Sequence, residues 1–284
     1  MKLSFMETTY ISSGASFAES AAVILGCPFD ATASFHPGAR FGPSAIRKAS
    51  WGIETYSPYL QKDLTELRIH DRGDLELPPG EKEVALDMIR QGVRQILARE
   101  KFPVLLGGDH LITLPVLEEM LKVYSELRLL HLDAHADLRE EYLGEAFSHC
   151  TVMRKIPGPL QRGRLFQIGI RSGTRDEFEY AKHIGSIVPS DPHSVRSMVK
   201  RLGKKPVYIS LDLDLFDPSL VPGVGTPEPG GFTFQEFISL LKELLPLHVL
   251  GFDIVELTPD YDPTHVSSLT ASVILREMIL AFCP

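Results

Sequence analysis

The sequence predicts an α/β protein in which helices cover both faces of a mostly parallel sheet. Three observations carry this. Apolar strand-type runs alternate along the chain with helical stretches, the order expected of parallel strands joined by helical crossovers. The clearest helix, Gly80 to Glu100, keeps Leu86, Ile89, Val93, Ile96 and Leu97 at helical spacing, with Lys82, Arg90, Arg94 and Glu100 facing away. Several apolar runs also end in acids or histidines, and the carboxyl ends of parallel strands are where such sheets build their sites.

In chain order, Ala21 to Gly26 reads as the first strand. The turn-rich loop Ser34 to Pro43 then leads into a short helix over Ser44 to Ala49, whose first turn suits Pro43. Gly52 to Thr65 reads as loop and Leu67 to His70 as a short strand. After the long helix come strand Pro103 to Leu106, the Gly107-Gly108 turn, and a helix over Leu114 to Tyr124. The run Leu129 to Asp137 begins as a strand and ends in Asp133, His135 and Asp137; continued as extended backbone, it would put all three on one side. Leu138 to Ser148 is a loop before a helical stretch at Thr151 to Lys155. Strand Leu165 to Ile170, helix Arg175 to Lys182, a short strand near Ile187-Val188 and helix Val195 to Leu202 follow. Strand Val207 to Leu211, a Pro/Gly-rich loop from Asp217 to Gly231, helix Phe234 to Leu244, strand Val249 to Val255 and helix Ser268 to Ala281 close the chain. With no internal repeat, low-complexity tract or linker, residues 1–284 are expected to form a single domain.

Composition narrows the functional classes. The chain is 44% hydrophobic and 23% charged, with a formal net charge of −8. That charge disfavours nucleic acid and anionic membranes and mildly favours a cationic ligand. No apolar run reaches the roughly 18 to 20 residues of a membrane span, and Met1 to Tyr10 lacks the pattern of a signal peptide. Cys27, Cys150 and Cys283 are isolated, which fits a reducing, cytoplasmic setting.

His110, Asp133, His135, Asp137, Asp212 and Asp214 lie at or just past strand ends and offer oxygen and imidazole nitrogen without thiolate. Such a set suits Mn²⁺ and related divalent ions better than structural zinc. Four carboxylates crowded together need cations, and two divalent ions would cancel their charge. A dimetal site acidifies a bound water toward neutral pH, so hydrolysis is the expected reaction.

The Gly107-Gly108-Asp109-His110 turn, the Asp133-Ala134-His135-Ala136-Asp137 run and the Ser210 to Pro218 run together resemble the three signatures of the ureohydrolase family. That family contains the arginases and agmatinases, dimanganese enzymes that release urea from guanidino compounds. The resemblance extends to the loop Pro37 to Pro43, to Ser148-His149, and to Pro222-Gly223 with Gly230-Gly231. It implies a three-layer α/β/α fold with about eight strands, assembled as a homotrimer or homohexamer. It places His110, Asp133, Asp137 and Asp212 on one manganese and Asp133, His135, Asp212 and Asp214 on the other. His149 matches the proton-transfer histidine and Glu256 the acid that holds the guanidinium; Asp137 is counted with them in the catalytic group. These roles suit the chemistry, since the departing amine needs a proton near neutral pH and a carboxylate orients a cation.

Leu111 departs from the usual Ser of the family and Cys150 from the usual Gly of agmatinases. Cys150 reads as a packing residue, His131 as a structural histidine, and His36 as either a loop residue or part of the pocket mouth. Arginases bind the amino-acid carboxylate with an Asn where this chain has Arg139, followed by Glu140 and Glu141. Agmatine, cleaved to putrescine in polyamine biosynthesis, is therefore the expected substrate, with the acidic loop including Glu145 repelling a carboxylate. Aminopropylagmatine, arginine or another guanidino acid are the alternatives. The turn and terminal motifs of dimetal phosphoesterases are missing, and His149 with Glu256 argues against a metal-stabilised regulatory subunit without turnover.

Overall fold

The computed structural model describes residues 8–284, so most of the stretch read for a leader, Met1 to Tyr10, lies outside the described residues. Among the described residues seven strands form one sheet: β1 (Ala22–Cys27), β2 (Ile69–Asp74), β3 (Phe102–Gly107), β4 (Arg128–Leu132), β5 (Leu165–Ile168), β6 (Pro206–Asp212) and β7 (His248–Val255). Their order across the sheet is β2-β1-β3-β7-β6-β4-β5, and every pairing is parallel. About eight strands were expected. The run at Ile187-Val188, anticipated as a strand, makes one bridge, Ile187 with Gln167, and goes no further. The loop expected over Gly52 to Thr65 contains a small hairpin of Tyr56–Ser57 against Lys62–Asp63.

The helices are α1 (Gly42–Ser50), α2 (Lys82–Leu97), α3 (Thr113–Val123), α4 (Val152–Lys155), α5 (Gly158–Arg164), α6 (Arg175–Ile184), α7 (Pro192–Leu202), α8 (Phe234–Leu244) and α9 (Val266–Phe282). Helix α5 was not anticipated; seven residues carrying two glycines and a proline give little periodicity to read. Capping sets several starts. Thr174 and Thr233 each form a reciprocal box with the glutamate three residues on, and Asp191 caps α7; such caps contribute about 1 kcal/mol each.

Strand residues alternate between two cores, as a period of two requires. Ile24, Val104, Leu130, Ile209 and Phe252 pack with residues of α1, α7, α8 and α9, whereas Val23, Leu25, Leu105, Leu129 and Tyr208 pack with α2 to α6. Helix α2 buries Leu86, Ile89, Val93 and Ile96 on its inner face, at roughly 1.5–3 kcal/mol per side chain relative to exposure. This is the three-layer arrangement. Its consequence for function lies in strand order, because β3, β7, β6 and β4 are consecutive neighbours. The residues after their carboxyl ends therefore meet at one edge.

Candidate active site

Local backbone chemistry delivers each side chain. After β3, a Cβ on Gly108 would lie 1.7 Å from the Phe29 carbonyl oxygen, so glycine is required there. The close approach lets the Asp109 N–H donate to Phe29 O (2.6 Å), and Asp109 then caps the short turn His110–Ile112 by accepting from Leu111 N–H at 3.0 Å. The extended run expected through Asp137 is corrected: β4 stops at Leu132, and Asp137 adopts φ 53°. The Ala134 N–H donates to Asp214 Oδ1 (3.1 Å) and the His135 N–H turns back to Asp133 Oδ1 (2.5 Å), so side chains capture the donors a ladder would use. Glu256, just after β7, also has positive φ, 67°. Two non-glycine residues in the left-handed region, at about 1–3 kcal/mol each, mark a strained site held by its surroundings.

All six expected ligand residues come together. His110 Nδ1 stands 3.1 Å from Asp133 Oδ2, 3.2 Å from Asp137 Oδ2 and 3.2 Å from Asp212 Oδ2, and it is a buried nitrogen without a hydrogen-bond partner among the described residues. His135 Nδ1 lies 2.8 Å from Asp214 Oδ2 and 3.6 Å from Asp133 Oδ1. Asp133 thus belongs to both groups, and Asp212 Oδ1 accepts from the Asp214 N–H at 2.8 Å.

The charge state of this cluster reflects its crowding. Burial would lower His110, but Asp133, Asp137 and Asp212 outweigh it and hold the imidazole well above its ordinary range. His135 is likewise pushed up to about 12, burial being outweighed chiefly by the charge of Asp214. Burial and then the charges of neighbouring carboxylates raise Asp137 and Asp212, and Asp214 rises to about 6. A buried imidazole nitrogen aimed at three carboxylate oxygens fits a divalent cation between them, with the proton displaced.

His131 also lies close to this group, yet its nitrogens are committed. Gln167 Nε2 lies 2.8 Å from the Ala136 carbonyl, to which it must donate, and 3.0 Å from His131 Nδ1. Nδ1 therefore accepts, and Nε2 donates to Asp133 Oδ2 at 2.7 Å. It orients a candidate ligand rather than offering a lone pair. Ser210 does the same for His110: its Oγ is 2.8 Å from His110 Nε2 and 2.7 Å from Asp253 Oδ1.

A pocket of about 430 Å³ opens over the cluster and is lined by His110, His135, Asp137, His149, Asp214 and Glu256, with Phe35, Tyr142 and Cys150 among its outer residues. Glu256 Oε1 accepts from the His110 N–H at 2.8 Å. Burial, and then the charge of Asp109, push Glu256 well above the carboxylate range; a cationic ligand would reverse that. A Cβ on Gly225 would lie 2.9 Å from Glu256 Oε2, so the loop packs this closely because the residue is glycine. Burial lowers His149 against the charge of Asp137. Cys150 Sγ is 3.4 Å from Ser148 Oγ, and burial raises the thiol to about 11. His36 is sandwiched between Phe35 and Tyr261, with ring centroids 3.9 and 4.0 Å away.

The acidic-loop expectation needs correction at Glu140 and Glu145. Glu140 is paired with Arg154 (2.8 Å) and Lys155 (3.6 Å), and Glu145 with Lys82, so their charges are largely compensated away from the pocket. A further acid on the pocket wall is Glu177, which lies 3.4 Å from Arg139 Nε and accepts from the Leu138 N–H at 3.0 Å and the Thr174 N–H at 2.8 Å. Arg139 also stacks 4.7 Å over Tyr142. The Thr174-x-x-Glu177 box was readable as a helix start, but nothing in it announced a second role at the pocket.

A model of the arginase family matches residues 20–281. The chain belongs to the arginase family. It is 42% identical to an agmatinase of Bacillus subtilis (strain 168) over 279 residues, 96% of each chain. It is 36% identical to the mitochondrial guanidino acid hydrolase of Homo sapiens, covering 92% of this chain and 78% of that one. Among solved structures it is similar to the agmatine ureohydrolase of Thermoplasma volcanium (TM-score 0.87, 31% identity, 98% and 94% coverage). It is similar also to the proclavaminate amidino hydrolase from Streptomyces clavuligerus (TM-score 0.86, 30% identity, 97% and 95% coverage). As an arginase-family amidinohydrolase, the chain is an enzyme acting on linear guanidino compounds.

Proposed function

We propose that residues 1–284 form one domain that hydrolyses agmatine to putrescine and urea with two Mn²⁺ per chain. The observation that carries this is the partnerless His110 Nδ1 facing three carboxylates, in a pocket that also holds Glu256 and His149. His110, Asp133, Asp137 and Asp212 would hold one ion, and Asp133, His135, Asp212 and Asp214 the other, with Asp133 and Asp212 shared. Bound ions of this kind supply a water acidified toward neutral pH as nucleophile.

The remaining work belongs to side chains. Glu256, with one oxygen taking the His110 N–H, has its other oxygen to accept from a guanidinium and fix its carbon over the cluster. His149 at the pocket wall gives a proton to the amine nitrogen as its bond to carbon breaks. The relatives' names support a guanidino group as the common element and a variable tail. Arg139 on the wall favours a carboxylate tail as the second reading, while its pairing with Glu177 favours agmatine. Assembly as a homotrimer or homohexamer and a cytoplasmic location belong to the same proposal. Among the described residues no helix is long and apolar enough to cross a membrane.

The test is urea release after Mn²⁺ loading on agmatine, aminopropylagmatine, arginine, guanidinobutyrate and guanidine side by side. Urea from agmatine above all others is expected; a guanidino acid turned over best would favour the second reading, and no urea from any would reject the proposal.

A further inference from the structure

We infer that Thr32 is the positioning residue for His149, holding its imidazole through one hydroxyl shared with the buried carboxylate of Asp109. The inference rests on the proposed role of His149 in proton transfer. Thr32 lies in the loop that follows β1 and reaches over the ends of the strands. Its backbone N–H donates to Asp109 Oδ2 at 3.0 Å, and its hydroxyl donates to the same oxygen at 2.9 Å. The other oxygen of Asp109 accepts from the Leu111 N–H at 3.0 Å. Both oxygens of the carboxylate therefore act as acceptors, and the hydroxyl hydrogen goes to Asp109.

A hydroxyl has one hydrogen and two lone pairs. With the hydrogen committed, Thr32 Oγ1 can only accept from its remaining neighbours. The His149 backbone N–H donates to it at 2.9 Å, and His149 Nδ1 lies 3.2 Å away. Nδ1 must then carry the proton and donate it. That leaves the Nε2 lone pair on the outward side of the ring, 3.3 Å from Ser34 Oγ. Ser34 and His149 both line the pocket.

This tautomer is the one proton transfer needs. Nε2 takes up a proton given up by the water oxygen that bonds to the guanidinium carbon and passes it to the leaving nitrogen, which receives the electron pair of the breaking C–N bond; the ring returns to neutral with Nδ1–H untouched. The loss of the hydroxyl frees the ring to rotate and lets either nitrogen carry the proton. An anchored base of this kind owes its efficiency to orientation as well as to pKa.

The experiment compares Thr32→Val, Thr32→Ser, His149→Ala and the double variant Thr32→Val/His149→Ala, each loaded with Mn²⁺ and analysed for metal content. Thr32→Val should lower kcat by about 10-fold or more, with KM and bound metal within about twofold of the parent. Thr32→Ser, which keeps the hydroxyl, should retain most of the rate. In the His149→Ala background the added Thr32→Val should cost nothing further, because both changes act on one unit. Equal losses in the two backgrounds, loss of metal in Thr32→Val, or full kcat in Thr32→Val would overturn the positioning role while leaving His149 in place. Full kcat in His149→Ala would instead overturn the reading of His149 on which this rests. Thr32→Ala serves the same comparison if Thr32→Val does not fold.

Discussion

Ser210 Oγ lies 2.8 Å from His110 Nε2, and this contact decides which nitrogen of His110 faces the carboxylates. The serine hydroxyl gives its own hydrogen to Asp253 Oδ1 at 2.7 Å, so it accepts from Nε2–H and leaves Nδ1 as the lone pair. Ser210→Ala should weaken metal binding by about 10- to 100-fold, the usual scale for losing such a support. Equilibrium dialysis against Mn²⁺ reads this directly, and unchanged affinity would mean that the ring orients itself.

Asp133 and Asp212 are the carboxylates proposed to touch both ions. Asp133→Ala and Asp212→Ala should each lose bound metal together with activity, as counted by elemental analysis. Asp217→Ala should keep both, because Asp217 accepts from the Ser219 hydroxyl (2.6 Å) and the Gly230 N–H (2.8 Å) in a turn beyond the cluster. Two ions retained in Asp133→Ala would remove it from the ligand set.

Different kinetic signatures are expected from His149 and Glu256. His149→Ala should keep its metal and lose about 10²- to 10⁴-fold in kcat. Glu256→Gln nearly keeps the shape but removes the charge facing the guanidinium, so its loss should appear in kcat/KM. Metal lost from His149→Ala, or wild-type kcat/KM in Glu256→Gln, would contradict these assignments.

Acid should expel the metal. In the metal-free chain His135 is raised from 6.5 to about 12, burial being overcome by the charges of Asp214 and Asp133. An imidazole raised in this way is protonated through the neutral range. It stabilises the metal-free fold below about pH 6.5 and loses that contribution as pH rises toward about 12. Metal must displace that proton, so apparent affinity rises with pH. Loading at about pH 7.5 should release about one proton or more per chain, read with an indicator dye in weak buffer. Loading without proton release would contradict this.

The strand-ended motifs were legible because they combine apolar runs with rare alternations of Asp and His, and the β3-β7-β6-β4 adjacency brings their side chains to one edge. The means of convergence was not legible. Periodicity assumes extended backbone, whereas Asp137 and Glu256 turn on positive φ values fixed by tertiary hydrogen bonds. Thr32, Asp109, Glu177 and Ser210 were missed as supporting residues for a related reason. Each acts through a partner 38 or more residues away, and a short motif does not carry that distance. Glu140 and Glu145 misled in the opposite direction, since their charges are compensated by Arg154, Lys155 and Lys82.

The substrate remains the centre of the account, and the ratio of kcat/KM for agmatine to that for arginine tests it most directly. Arg139 is held against Glu177 and Tyr142, and the paired glutamate offsets the positive charge that an α-carboxylate would seek on that wall. A discrimination of about 10²-fold needs only roughly 2.7 kcal/mol of differential transition-state binding. Measured by urea release from the Mn²⁺-loaded enzyme, the ratio should be at least about 10² in favour of agmatine; a ratio of about one or below would contradict the assignment.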